Sequence, residues 1–500
     1  MFLVLLILIP YISSFLCFFS QYINTKLPKF IALITMFIVF LISIKIWLEN
    51  YFFIVKNKYI NSNWDIEFIH PFIKKIGIDW NFGVDGLSIL MVLLTILLGI
   101  ISILCSWKIN YKYSGFFYFN FLFLIGSIIG TFISLDLFLF FCFWEITSFP
   151  IYFLLLIWGF NNNNKLLRVS NNFFIYSQIS SFFLLLGILG IFYNYYFLTN
   201  IYTFNYNLLL NTPINFYLEL FLMFLFFLSF SIKIPTIPFH NWVIDFHEYS
   251  PVSGFLDLSG ILIKTSIYGL LRFNIPFFYY SSFLFSSFFC FLGLINIFYF
   301  SYIAFIQKDI KRLISYGSIS NMGFILIAIY SFNILSSQGL IIQIFSHAFS
   351  TAALFILIGK IYFFLNTRKL KCIIGFSSLS IFFYYFFLFF SIANLGIPGT
   401  GNFTGEFLIL LGSYFNHSII TIFSLIGLIF SMIYSLRMMR YIFFGNFKKK
   451  NIFLKIQYLD VFIMFILFFF IILLGIYPKR FFDTSYHSIL NIYKNFKFLI

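Results

Sequence analysis

Five titratable side chains lie inside apolar segments of this chain. They are Glu145, Lys233, Lys264, His347 and Glu406. A lysine at the centre of a bilayer costs roughly 3 kcal/mol even on lenient insertion scales, so ionisable residues at that depth indicate a functional site. Acids and bases embedded together in a bilayer are typical of a proton path, and we interpret these five residues as an acid–base series for moving protons.

Lys233 stands beside a break in its apolar segment. Pro235 and Pro238 follow it, and proline removes a backbone donor and interrupts a helix. A charge next to such a break predicts an ion pathway rather than a hydrophobic anchor. Glu145 lies in the middle of another apolar segment, where we favour an ion pair or proton site over a buried carboxyl that serves packing alone.

The other three residues each have a structural alternative. Lys264 lies centrally in its segment, which argues against a snorkelling side chain, and Asp257 precedes it by two helical turns on the same face. His347 is surrounded by small and hydroxyl residues that would admit water, so we favour a relay over a hydrogen-bonded core histidine. Glu406 follows a glycine-rich break, and helix capping is the alternative to a proton site.

Composition defines the class of protein. Of the 500 residues, 62% are hydrophobic and 9% are charged, and the mean hydropathy is +1.01. A soluble domain cannot hide so much apolar surface, so we predict an all-α polytopic membrane protein. The net charge of +16 is explained by basic loops between spans, and we predict no nucleic-acid partner. The bias toward Phe, Ile, Tyr, Asn and Lys is typical of A+T-rich codons and indicates an organelle genome.

Apolar runs predict about fourteen membrane spans. They cover approximately 3–20, 30–48, 86–106, 115–132, 135–158, 171–197, 215–238, 252–273, 277–302, 312–331, 337–363, 374–412, 417–443 and 458–477. The seventh and twelfth are broken by proline and glycine. Because these two are five spans apart, spans 4–8 and 9–13 are predicted to be inverted five-helix repeats. We divide the chain into an N-terminal region (residues 1–85), an antiporter-like core (residues 86–445) and a C-terminal region (residues 446–500).

Other polar residues receive structural interpretations. Asp85 and Asp136 precede apolar runs and are predicted to cap helix N-termini. His240, Asp245, His247 and Glu248 cluster between two spans, where a pathway mouth or a packing role is favoured over a metal site. The five cysteines are scattered, which argues against a disulfide framework or an iron–sulfur site. We see no nucleotide, haem or flavin motif.

Several motifs together resemble the antiporter-like subunits of respiratory complex I, a superfamily shared with multi-component cation/proton antiporters. The resemblance covers about residues 80–445. The matching segments are 82–88, 143–145, 233–235, 238–242, 249–254, 307–323 and 346–355. Within the family, Glu406 indicates one branch, because the sister subunits carry a lysine on the twelfth span.

The resemblance implies a function and roles. The chain would be a proton-translocating subunit of the membrane arm of NADH:ubiquinone oxidoreductase, in the inner mitochondrial membrane. Glu145 and Lys233 would form a switchable ion pair, Lys264 the central relay and Glu406 the terminal proton site, with His347 supporting the hydrated axis. Asn321 departs from the family, which commonly has histidine there, so water or Lys264 would have to carry that stretch of the path.

The resemblance also implies partners. Other membrane-arm subunits, including sister antiporter-like subunits, and lipids would surround the chain. NADH, flavin, iron–sulfur clusters and ubiquinone would be bound elsewhere in the complex, and this chain would bind no cofactor. Two alternatives stay open: a subunit of a sodium/proton antiporter, and a structural membrane subunit with vestigial charges.

Overall fold

The computed structural model describes residues 2–56, 64–109, 111–160, 163–250, 254–375, 380–445 and 458–494. Its first eleven helices are α1 Phe2–Ser20, α2 Leu27–Lys56, α3 Gly86–Ser106, α4 Ser114–Ile133, α5 Leu137–Ile146, α6 Ser148–Trp158, α7 Asn163–Thr199, α8 Tyr206–Leu210, α9 Phe216–Lys233, α10 Asn241–Tyr249 and α11 Gly254–Gly269. A π-helical turn, Leu270–Asn274, continues α11.

The second half of the chain is also helical. Its helices are α12 Ile275–Phe277, α13 Tyr279–Leu284, α14 Ser286–Ile306, α15 Ile310–Tyr330, α16 Ile334–Leu365, α17 Ile381–Asn394, α18 Gly401–Asn416, α19 Ser418–Phe443, α20 Tyr458–Ile476 and α21 Lys479–Ile492. A short 3₁₀ turn, Leu370–Cys372, lies between α16 and α17.

Twelve helices in the described residues are long and apolar enough to cross a membrane. The two predicted spans outside this set are the eighth and the twelfth. The eighth is α11, with 16 residues before the π turn, and the twelfth is divided into α17 and α18. The polytopic helical fold is therefore confirmed, whereas the count of fourteen is not.

Burial separates a central group of helices from a peripheral one. The membrane-crossing stretch of α16 is completely buried, that of α15 is almost completely buried, and those of α3 and α4 are mostly buried. In α1, α2, α19 and α20 most of the stretch lies at the surface of the chain. The central helices carry or adjoin the candidate site residues, so the site lies in the most enclosed region of the molecule.

A β-hairpin occupies much of the segment between the second and third predicted spans. Strand β1, Ile66–Ile73, pairs antiparallel with β2, Ile78–Val84. Gly77 turns the chain between them with φ +74, and a Cβ there would lie 2.0 Å from the Tyr202 carbonyl oxygen. Glycine is thus required both by backbone conformation and by the close approach of the segment after α7.

The break after Lys233 is stabilised by side chains that occupy its free backbone groups. The Trp242 indole Nε1 donates to the Ile232 carbonyl at 2.9 Å, and the Ile237 N–H donates to Asn296 Oδ1 at 3.2 Å. The Thr236 N–H and hydroxyl both reach the Ser231 carbonyl. Irregular backbone at membrane depth is tolerated where such partners exist, which is why α9 can end inside the protein.

The break between α17 and α18 is also stabilised by a side chain that bonds to a free backbone group. Asn402 Nδ2 donates to the Ala393 carbonyl at 2.8 Å and to Ser350 Oγ at 3.2 Å. Gly396 has φ +70, and a Cβ at that position would lie 2.6 Å from Glu406 Oε2. The glycine therefore makes room for the carboxylate as well as turning the chain.

The fifth span, predicted at 135–158, is confirmed as one membrane-crossing stretch, Leu137–Trp158. It contains a one-residue junction at Thr147, beside Glu145, where α5 ends at Ile146 and α6 begins at Ser148. Pro150 has no N–H to offer the Ile146 carbonyl four residues earlier. The Thr147 and Ser148 hydroxyls donate to the Trp144 and Glu145 carbonyls, both at 2.7 Å, and so stabilise the junction.

Both predicted helix caps are confirmed. Asp85 accepts from the Ser88 N–H at the start of α3, and Asp136 accepts from the Phe138 and Leu139 N–H groups at the start of α5. Burial raises the pKa of the Asp136 carboxyl to about 6, although these N–H groups oppose the rise.

Asp85 has a second role that sequence analysis did not anticipate. Its carboxylate forms a buried ion pair with Arg272 in the π turn. Burial alone would raise the pKa of the Asp85 carboxyl, but the Arg272 guanidinium outweighs burial and holds the pKa below its usual value. The guanidinium also lies 4.5 Å from the centre of the Trp64 ring.

We expect Arg272→Met to destabilise the folded chain. It would leave the Asp85 carboxylate buried without a counter-charge, which typically costs about 3–5 kcal/mol. The thermal inactivation temperature and the amount of assembled protein would both fall. Adding Asp85→Asn removes the stranded charge and keeps a helix-capping side chain, so the double variant should recover some of the loss. A double variant no better than the single one would show that the pair does not account for the effect.

Candidate functional site

Glu145 is half-buried at the end of α5, next to the junction with α6. Its Oε1 accepts a hydrogen bond from Gln178 Nε2 on α7. Because that amide is neutral, it orients the carboxylate without neutralising it. The Glu145 carboxylate is therefore held at one oxygen, and among the described residues no cation lies within 4.0 Å of it.

Lys233 is buried at the last position of α9. Its Nζ lies 3.4 Å from the Trp144 carbonyl oxygen and 3.6 Å from the centre of the Trp144 ring. Among the described residues, no ion pair within 4.0 Å joins Lys233 to Glu145. The predicted ion pair is therefore not formed in this state, and Trp144, the residue before Glu145, holds the ammonium by its ring and its carbonyl.

Lys264 and His347 are in direct contact at the centre of the protein. Lys264 Nζ on α11 lies 3.4 Å from His347 Nδ1 on α16, and both residues are buried. A protonated lysine can only donate hydrogen bonds, so His347 Nδ1 is the acceptor in this contact. His347 Nε2 is buried and has no hydrogen-bond partner among the described residues. The side chain of Asp257, earlier on α11, lies outside the described residues.

Glu406 is buried on α18, one and a half turns after the break. Gln343 Nε2 on α16 donates to Glu406 Oε1 at 3.2 Å. The Gln343 Oε1 is buried and unpaired in the described portion of the chain. Glu406 does not cap α18, whose N-cap is Thr400, so the capping alternative raised by the sequence is wrong.

Helix α16 joins two of these contacts. Gln343 and His347 are four residues apart and therefore project from the same face one turn apart. Through them the same face of α16 contacts Glu406 at one turn and Lys264 at the next. The five predicted residues therefore make four contacts: Glu145 with Gln178, Lys233 with Trp144, Lys264 with His347, and Glu406 with Gln343. The last two contacts share helix α16, and we call them the α16 group.

Sequence analysis missed the neutral partners in these contacts. Gln178 and Gln343 were not singled out, nor was the role of Trp144 in holding Lys233. A signal was present, because glutamine is a costly residue in an apolar span and Gln343 precedes His347 by one helical turn. Searching the spans for buried amides as well as charges would have identified both glutamines.

The polar cluster between α9 and α11 contains an ion network of Asp245 and Glu248 with Arg312, and two histidines outside it: His240, which lies against Phe300, and His247. Arg312 lies 2.5 Å from Glu248 and 3.7 Å from Asp245. His247 stacks on the Phe355 ring, with centres 5.1 Å apart. Burial lowers the pKa of His247 to about 3, assisted by nearby Lys311. These contacts are those of a packed structural corner.

Asn321, the departure from the family pattern, is buried on α15. Its Nδ2 has no hydrogen-bond partner in the portion of the chain that the structure describes. A neutral amide cannot take up a proton at neutral pH, so Asn321 can orient water but not store a proton.

Comparison with known proteins gives the class to which this fold and site belong. The family described as NADH:quinone oxidoreductase/Mrp antiporter, transmembrane, matches residues 134–433. A chain of respiratory complex I from Thermus thermophilus with bound NADH has the same fold, with a TM-score of 0.86 at 23% identity, covering 98% of this chain and 99% of that one. The chain belongs to the NADH:quinone oxidoreductase/Mrp antiporter family.

Two relatives narrow the resemblance to one branch. The chain is 46% identical to NADH-quinone oxidoreductase subunit M of Buchnera aphidicola subsp. Baizongia pistaciae, over 99% of this chain and 100% of the relative. It is 32% identical to NADH-ubiquinone oxidoreductase chain 4 of Marchantia polymorpha, over 99% of this chain and 97% of the relative. The branch predicted from Glu406, that of complex I chain 4, is confirmed.

Proposed function

We propose that this chain is a proton-translocating subunit of the membrane arm of an NADH–quinone oxidoreductase. The observation that carries the proposal is the α16 group, in which one helix with a buried membrane-crossing stretch places His347 against Lys264 and Gln343 against Glu406. Relatives named subunit M and chain 4 support the same assignment. As a subunit of that enzyme, the chain moves protons while the redox chemistry takes place in other subunits.

Each ionisable residue then has a role. Glu145 and Lys233 form the switch: Lys233 lies on Trp144 in the state described here and pairs with Glu145 when it moves one residue along α5. Lys264 with His347 is the central relay. Glu406 is the terminal proton site, and the Gln343 amide, which donates to its Oε1, stabilises the carboxylate after the proton leaves. Moving a lysine between a neutral and a charged partner changes its proton affinity, which is the property that a pump needs.

The proposed surroundings follow from the same assignment. Sister antiporter-like subunits and lipids cover the apolar helices that face outward. NADH, flavin, iron–sulfur clusters and ubiquinone are bound by other subunits of the complex. The antiporter-like core is residues 86–445, and the family match at 134–433 lies within it.

The membrane is the inner membrane of a mitochondrion, as the A+T-rich composition predicts, or the inner membrane of a bacterium. Relatives come from both bacteria and a plant, and the bacterial one is the more similar of the two described above. Fractionating source cells and locating the chain with an antibody would decide between them.

Lys233→Met tests the proposal directly. We expect proton pumping per NADH oxidised in sealed vesicles to be lost and NADH oxidation to slow by about tenfold or more, because an uncharged side chain cannot alternate between Trp144 and Glu145. The matched control is Lys45→Met. Lys45 also lies in a predicted span, but it is half-exposed and pairs with Glu49. Unchanged pumping and oxidation in Lys233→Met would instead favour a structural subunit with vestigial charges.

A sodium/proton antiporter subunit is the second candidate, because the matched family includes Mrp antiporters. It predicts sodium-dependent proton exchange in vesicles without any NADH. Pumping that requires NADH oxidation and is unaffected by sodium would reject this candidate.

A further inference from the structure

A cavity of about 630 Å³ lies between α3, α16, α17 and α20. Its walls are largely apolar, and its lining includes Ile356, Leu357, Phe383, Phe386 and Met464. The volume falls within the range of about 300–1,000 Å³ that is typical of small-molecule sites. None of the five residues proposed for proton transfer lines this cavity.

Four charged residues lie at the rim or wall of the cavity: Lys108, Lys311, Lys360 and Asp460. Lys360 Nζ contacts Asp460 Oδ2 at 2.9 Å, so these two charges neutralise each other. Lys108 and Lys311 remain, and they give the cavity an excess of two positive charges.

Lys311 is the unusual member of this group. It is 1% exposed, and its Nζ lies 5.3 Å from the centre of the Phe160 ring. Within the described residues its ammonium has no carboxylate within 4.0 Å. The carboxylates of Asp309 and Glu248 act on Lys311 from beyond 4.0 Å, and the like charge of Arg368 opposes them, so the buried ammonium has no direct counter-ion among the described residues. Burying a charge without a direct partner is costly, and an anion entering the cavity would pair with it.

The position of the lysines indicates where such an anion would come from. Lys108 follows α3, Lys311 lies in the first turn of α15, and Asp460 lies in the first turn of α20. The sequence is rich in lysine and arginine next to each of these helix ends, at 108–112, 308–312 and 440–455. On the wall helices α17 and α20, Phe382 and Phe462 are more than half exposed, as expected of side chains that face lipid tails. The cavity therefore joins a positive end at headgroup depth to apolar walls.

We propose that this cavity binds one anionic phospholipid, with its phosphodiester at Lys311 and Lys108 and an acyl chain along Ile356, Leu357 and Phe386. Basic pockets between transmembrane helices on the side of the basic loops are known to hold acidic headgroups. An inorganic anion would meet the charge but leave the apolar walls unfilled, and a neutral lipid would leave Lys311 unpaired. Only an amphipathic anion matches both features.

The test compares lipids on the purified complex that contains this chain. After delipidation, phosphatidylglycerol or phosphatidylcholine is added back, and the lipid retained per complex is counted by native mass spectrometry. We expect phosphatidylglycerol to be retained preferentially by the unmodified complex and about fivefold less by Lys311→Met, the loss expected for one lysine at a membrane surface. Lys112→Met is the matched control, because Lys112 is exposed in the same loop as Lys108 but does not line the cavity.

Leu357→Trp provides a second variant that keeps every charge and fills the apolar end. It should also lose phosphatidylglycerol, while inorganic phosphate added in excess should not displace the lipid from the unmodified complex. Equal retention of the two lipids by the unmodified complex would overturn the proposal, and this comparison needs no variant to fold. Displacement by phosphate, or full retention in Lys311→Met, would overturn it as well.

Discussion

Glu406→Gln is expected to abolish proton pumping by the assembled complex and to slow NADH oxidation by about a hundredfold. Glutamine has the shape of glutamate and still offers an oxygen to the Gln343 amide, so the contact between α16 and α18 survives. It cannot take up or release a proton, however, and a positioned proton-transfer group typically contributes about 10²–10⁴-fold to a rate. Pumping and oxidation are measured together in vesicles that contain the purified complex.

The matched control for this change is Glu219→Gln. Glu219 is also buried, and it lies on α9, where its carboxylate accepts hydrogen bonds from the Ser281 N–H and hydroxyl at 2.9 and 3.0 Å. The same chemical change there should leave pumping close to normal. Gln343→Leu should slow turnover by about ten- to a hundredfold, because a hydrogen bond to a charged group contributes about 1.5–3 kcal/mol. Normal pumping by Glu406→Gln would remove Glu406 from the proton path.

Lys264→Met is expected to have an effect of similar size. The Lys264 ammonium contacts His347, and among the described residues no carboxylate lies within 4.0 Å of it. Within that part of the chain, His347 is therefore the side chain with which Lys264 can exchange a proton directly. Methionine fills much of the same volume without a charge, so packing around the fully buried position is kept. Pumping should be lost, with NADH oxidation slowed by about a hundredfold.

A double-mutant cycle separates a relay from two independent residues. If Lys264 and His347 act together, His347→Leu should slow oxidation on its own but add little to Lys264→Met. If the double variant slows oxidation by the product of the two single-variant factors, the two residues contribute through different steps. Lys45→Met serves again as the lysine control, and its pumping should match that of the unmodified complex.

The features that the sequence predicted are those with a local cause. Pro235 and the glycines near 396–405 act on their own backbone, so both helix breaks were predictable at the correct positions. Hydrophobicity predicted the helices, because a span is defined by its length and apolarity alone. The caps at Asp85 and Asp136 also depend on residues two or three positions away.

Contacts between distant segments were not predictable in the same way. Asp85 and Arg272 are 187 residues apart, and their pairing depends on how α11 packs against α3. The amide partners Gln178 and Gln343 carry no charge, so a search for titratable residues passes over them. The hairpin before α3 has strands that alternate only weakly between buried and exposed positions, which left that segment without a clear pattern.

The shared helix α16 has a mechanical consequence. It is enclosed along its whole membrane-crossing stretch and meets Lys264 and Glu406 through residues a single turn apart. A packed helix moves as a rigid body, since its neighbours leave no room for one turn to shift alone. A slide or roll of α16 by about an ångström would therefore loosen or tighten both contacts in the same instant. Movement of this one helix would then couple proton arrival at Lys264 to proton departure from Glu406.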